Sequence, residues 1–131
     1  MAGLALAVAG GACVFADDDQ GTESIGFVTP LSHAETHART LTFFQLEGYT
    51  LVDSSSNLIR AEKVRPLASG GGQERDVFTV TLRTEPEGTR VTVAGLTYIV
   101  ENGQAREAPQ NSPQLSQDWD RLIQFLMGPR P

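Results

Sequence analysis

The chain is poor in the residues that usually announce chemistry. Its 131 residues hold one cysteine, two histidines and one tryptophan. A lone cysteine excludes an internal disulfide framework, so the fold must be held by its core. Basic residues number ten against sixteen acids, for a formal net charge of −6. Nucleic acids and anionic membrane surfaces need clustered Lys and Arg, so neither is an expected partner. The serines lie in polar turns with no G-x-S-x-G elbow. Gly70-Gly71-Gly72 lacks the Lys-Ser/Thr of a phosphate loop. Asp17, Asp18 and Asp19 fail the calcium-loop pattern, because Gly21 falls where an Asp or Asn ligand is required. No catalytic residue and no cofactor site is assigned, and the expectation is a protein that is not an enzyme.

What the chain does have begins at its N-terminus. From Leu4 to Ala16 every residue is apolar or Gly. That run is too short to span a bilayer, which takes about 20 residues, and matches the apolar region of an export signal. Residues 1–16 are therefore read as a signal-like segment and 17–24 as an acidic tether. Two processing routes are open. Val14-Phe15-Ala16 resembles a signal peptidase site that would release a chain starting at Asp17. Gly10-Gly11-Ala12-Cys13 resembles a lipobox, which would make Cys13 a lipidation candidate and the first residue of an anchored chain. The segment lacks the opening Lys or Arg of a signal peptide, and Gly10 stands where a lipobox usually has Leu. The expected location is periplasmic or outer-envelope, with any membrane attachment made only through a lipid anchor.

Residues 25–128 read as one α+β domain. Ile25–Thr29 forms a short strand ended by Pro30. Ser32 and Glu35 make a capping-box pattern, and a helix is expected over 33–46 with an apolar stripe of Ala34, Ala38, Leu41 and Phe44, stopped by Gly48. Residues 49–52 and 58–64 form a hairpin around a polar turn, followed by a Gly-rich loop over 65–75. A second hairpin pairs 77–84 with 89–94, with Phe78, Val80, Leu82, Val91 and Val93 on the buried face. A strand over 96–100 then leads through Asn102-Gly103, the preferred type I′ dipeptide, to a short strand near 104–107. Ser112 and Pro113 open a last helix whose apolar face is Leu115, Trp119, Leu122, Ile123 and Leu126, ended by Gly128-Pro129. The order β-α-β-β-β-β-α predicts an antiparallel sheet of about five strands with both helices on one face.

Leu46-Glu47-Gly48-Tyr49, the turn Asp53–Asn57 and Ile59-Arg60-Ala61-Glu62 together give a helix, a Gly-aromatic step into a strand, a polar turn and a returning strand. In this the chain resembles small bacterial envelope proteins and lipoproteins, many of unassigned function. The resemblance implies an envelope protein, and it brings no catalytic residues with it.

Three functional readings follow. In the first, the solvated sheet face, with Thr50, Arg60, Glu62, Thr79, Thr81, Arg83, Arg90 and Thr92, is a polar platform for an envelope protein or glycan. In the second, the last helix leaves an apolar ligand pocket near Phe43, Phe44 and Trp119. The third is a metal-dependent enzyme using His33 and His37, which lie four apart on one helical face. Their order is not HExxH, since Glu35 sits two residues from each His and points elsewhere, and capping accounts for it; a third ligand is not identifiable, so no metal site is assigned. The first reading asks for no missing motif. No oligomeric state follows from the sequence.

Overall fold

The computed structural model describes residues 13–17, 22–68 and 70–127. Its elements are β1 (Cys13–Asp17), β2 (Thr22–Thr29), α1 (His33–Leu46), β3 (Thr50–Ser54), β4 (Leu58–Pro66), β5 (Gln73–Glu85), β6 (Gly88–Glu101), β7 (Gln104–Glu107) and α2 (Pro113–Met127). The strands form one antiparallel sheet in the order β1-β2-β6-β5-β4-β3, with β7 pairing the far half of β6. This is the α+β class expected, with seven strands among the described residues where about five are expected. Cys13–Asp17, which the sequence placed where the export segment meets the tether, pair with Thr22–Gly26. Residues 1–12, 18–21 and the Gly128-Pro129 stop lie outside the described residues.

Helix α1 spans the expected residues. The Ser32 hydroxyl accepts from the Glu35 amide at 3.1 Å, and Gly48 ends the helix at φ +85°. Its buried face keeps half of the expected stripe: Phe44 is buried and Leu41 packs on the core, but Ala34 and Ala38 are exposed, and Thr36, Thr40 and Phe43 face inward instead. The threonines can be buried because each hydroxyl donates one turn back, Thr36 to the Ser32 carbonyl at 2.7 Å and Thr40 to that of Thr36 at 2.8 Å. A satisfied hydroxyl loses the penalty that polarity alone predicts.

Three strands, β4, β5 and β6, also outrun their expected limits. β4 continues to Pro66 and β5 begins at Gln73, so the Gly-rich loop shrinks to a short turn closed by the Leu67 amide on the Gly72 carbonyl. β6 runs unbroken through Gly95, where a strand break had been read. Gly95 serves close approach instead: a Cβ there would lie 3.0 Å from Leu115, 3.2 Å from Phe78 and 3.3 Å from Trp119. At the far end Asn102 and Gly103 take φ of 54° and 76°, as a type I′ turn requires.

Register fixes the two faces. Val80 pairs with Val93 and Leu82 with Val91, and with Ile59, Ala61 and Phe78 they form the floor of the core. Both helices cover this inner face. Phe43 of α1 meets Phe125 of α2 with ring centroids 5.8 Å apart, while Phe78 of the sheet contacts Phe44 at 5.7 Å and Trp119 at 6.4 Å. Phe44 and Phe78, fully buried, each contribute about 2–3 kcal/mol of apolar transfer.

Candidate functional site on the open sheet face

Polar side chains gather in three places, and only one of them is open for binding. The first is at the inner end of the sheet. Asp76 is fully buried and accepts from the Thr97 hydroxyl at 2.7 Å, from Ser112 Oγ at 2.9 and 3.0 Å, and from Arg65 at 2.7 Å. Ser112 Oγ in turn accepts from the Leu115 amide at 3.0 Å, making it the N-cap of α2. Burial works against the Arg65 charge, but its hydrogen bonds to Asp76 and Glu74 outweigh that and hold the guanidinium pKa above its ordinary value. A carboxylate so fully satisfied fastens a helix to a sheet and leaves no lone pair for a substrate.

Nearby, Tyr49 is buried and donates to Asp118 at 2.8 Å, with the Lys63 ammonium 5.0 Å over its ring. Burial first, and the Asp118 hydrogen bond and charge second, push the phenol pKa well above its ordinary range. Together these contacts lock α2, β3 and β4 to one another.

The second place is the His33-His37 pair. His33 Nε2 donates to the Ser56 carbonyl at 2.6 Å and His37 Nε2 to the Ser55 carbonyl at 2.7 Å. A carbonyl can only accept, so Nε2 of each ring carries the proton. Nδ1 of neutral His33 is then the acceptor for the Thr84 hydroxyl, 3.1 Å away. The i,i+4 spacing that suggested a shared metal ion is used to staple α1 to the β3–β4 turn. Among the described residues no cluster of three or more His, Cys, Asp or Glu side chains could hold an ion.

The third place is the face of the sheet turned away from the helices. Cross-strand register aligns Leu58 with Thr81 and Thr92, Arg60 with Thr79 and Ala94, and Glu62 with Val77 and Leu96. The expected platform residues thus share this face but not one site. Arg60, Glu62 and Thr79 line a groove of about 410 Å³ with Arg75, Val77, Leu96 and Tyr98. Thr81, Arg83, Arg90 and Thr92 line a second depression toward His33. In that second depression the cations are already engaged. Arg83 and Arg90 both contact the Glu85 carboxylate, at 2.9 and 3.1 Å, and their hydrogen bonds hold its pKa below the usual carboxylate value. Thr50, opposite Glu62, is exposed at the sheet margin.

The groove differs in kind. Val77, Ala94 and Leu96 make its floor and Tyr98 and Ala105 one end. Arg60 makes no ion pair among the described residues. Arg75 is ion-paired with the Glu62 carboxylate at 3.6 Å, beyond hydrogen-bond reach, and its buried Nε has no hydrogen-bond partner among the described residues. Residue pattern alone does not place Arg75, Leu96 and Tyr98 in the groove, because 65–75 has the composition of a loop and Gly95 divides β6 into two apparent strands. Continuing the period-two alternation of β5 backward from Val77 would have found Arg75.

The pocket expected near Phe43, Phe44 and Trp119 is occupied by the protein itself. Phe44 is fully buried and Phe43 and Trp119 nearly so, each ring packed on another. Among the described residues no helix is long and apolar enough to cross a membrane.

No family model matches the sequence. No curated protein matches it either. Among solved structures, the chain is similar to a DUF4468 family protein from Bacteroides ovatus, with a TM-score of 0.49 and 14% identity over 90% of this chain and 94% of that one. It is also similar to Ara h 8.0201, with a TM-score of 0.38 and 12% identity over 89% of this chain and 93% of that one. Likenesses of this size leave the reading of the site to its own residues.

Proposed function

We propose that the chain is a non-enzymatic binding domain of the cell envelope whose working surface is the open face of the sheet. One observation carries this reading: where a solvated face was expected, Val77, Ala94, Leu96 and Tyr98 form a half-buried apolar floor between Arg60 and Arg75. An antiparallel sheet with one face covered needs no such floor on the other, and an apolar patch rimmed by charge is the usual mark of a contact surface. The floor also gives a small ligand the room that ring packing denies it beneath α2. Placement in the envelope rests on the export-like residues 1–16. A chain beginning at Cys13 keeps β1 whole, whereas one beginning at Asp17 loses four of its five residues.

Native mass spectrometry of the chain gently purified from its host tests both parts. The expected result is a non-covalent adduct, protein or small molecule, that is absent from a Val77→Glu/Leu96→Glu variant of unchanged stability. A bare wild-type chain, or an adduct kept by the variant, contradicts the binding face. The denatured mass of the same sample reads the N-terminus: an acylated Cys13 or a chain starting at Asp17 supports export, and an unprocessed Met1 contradicts it.

A further inference from the structure

Resting on the open face as the binding surface, we infer that its groove takes a small amphipathic carboxylate, the acid group held by Arg75 and Arg60 and the hydrocarbon laid on Val77, Ala94 and Leu96. The charge of the groove runs against that of the chain. Overall the protein carries −6, yet the groove holds two arginines against the single acid Glu62. Arg75 has a buried Nε that no protein atom satisfies, and an orphaned buried donor is costly unless a ligand completes it. Glu62, at 3.6 Å, forms an ion pair with the guanidinium but is too far to hydrogen-bond it. A ligand carboxylate offers what Glu62 does not, two oxygens in the plane of the guanidinium fork.

The remaining groups select the rest of the ligand. Floor residues are apolar or small, and the lining hydroxyls are those of Thr79 and, at one end, Tyr98. A body rich in hydroxyls, such as a sugar acid, would strand its polar groups over Val77 and Leu96. The volume of about 410 Å³ lies in the range of small-molecule sites, toward its lower end. Groove, charge and size together describe a short-chain or medium-chain fatty acid, or an arylalkanoic acid of similar bulk.

The test is a titration of the ¹⁵N-labelled full chain with sodium octanoate, with octylamine hydrochloride and 1-octanol as controls. Saturable shifts of the Val77, Thr79, Ala94 and Leu96 amides are expected with octanoate, weakened about tenfold or more by Arg60→Gln/Arg75→Gln. Arg75→Lys keeps the charge but loses the planar fork, so it should weaken binding while a purely electrostatic site would be unmoved. Equal affinity for octanol overturns the carboxylate assignment and leaves the open-face reading standing. Shifts centred on Phe43 and Trp119, or no saturable shift with octanoate, overturn the inference. An adduct lost on groove substitution in the native mass experiment would then still stand by itself.

Discussion

Gly95 lies directly beneath Trp119: a Cβ at this position would come within 3.3 Å of the indole and 3.0 Å of Leu115. The strand that carries Leu96 on the open face thus carries, one residue earlier, the gap into which α2 settles. Gly95→Ala should destabilise the fold by about 1–3 kcal/mol through overpacking. Urea denaturation followed by Trp119 fluorescence measures it, and a change below about 0.5 kcal/mol would show that the helix does not need the gap.

The Asp76 network makes a second prediction. Asp76→Ala removes the shared acceptor of Arg65, Thr97 and Ser112 and leaves the partly buried Arg65 charge with Glu74 alone, so a loss of about 3 kcal/mol is expected. Ser112→Ala removes the N-cap of α2 and one donor to Asp76, and should cost about 1–2 kcal/mol. Because both act on one network, the double variant should lose less than the sum, which a double-mutant cycle reads directly.

Tyr49 gives the fold an alkaline limit. Its phenol ionises near 10 in the unfolded chain and well above that when folded, so the folded state binds its proton more tightly. The stability this contributes is complete below about pH 10 and is lost as the pH rises beyond it. Denaturation midpoints measured from pH 8 to 11 should fall, and Tyr49→Phe should flatten the fall while lowering stability near neutrality through the lost bond to Asp118. A variant with the same alkaline slope would contradict the assignment.

The two histidines should act on one turn. His33→Ala or His37→Ala frees the carbonyl of Ser56 or Ser55, at a cost below about 1 kcal/mol for an exposed bond. Amide hydrogen exchange should quicken over 55–58 and stay unchanged in β5 and β6. Slowed exchange over 55–58 on adding zinc to the wild-type chain would instead revive the metal reading.

Much of this was legible from residue pattern. Ser32, Gly48, Asn102-Gly103 and Ser112-Pro113 mark their boundaries through cap and turn chemistry that depends only on neighbours in the chain. The inner face of β5 and β6 follows from strict alternation. What local pattern hid was tertiary. Thr36 and Thr40 are buried because their hydroxyls find helix carbonyls, and Gly95 continues a strand because a tryptophan needs its space. The groove was half visible: Arg60, Glu62 and Thr79 fell on the expected platform, but Arg75, Leu96 and Tyr98 join them only once β5 and β6 are known to be long and paired in this register.

Binding is proposed through the face of the sheet turned away from the helices. Arginine-directed footprinting of the full chain, in buffer and in an extract of its host, tests this most directly. Arg60 and Arg75 should lose reactivity in the extract while Arg121, on the helix side, keeps its own. Protection of Arg121 with Arg60 and Arg75 unchanged would place the contact surface on the helices and contradict the account.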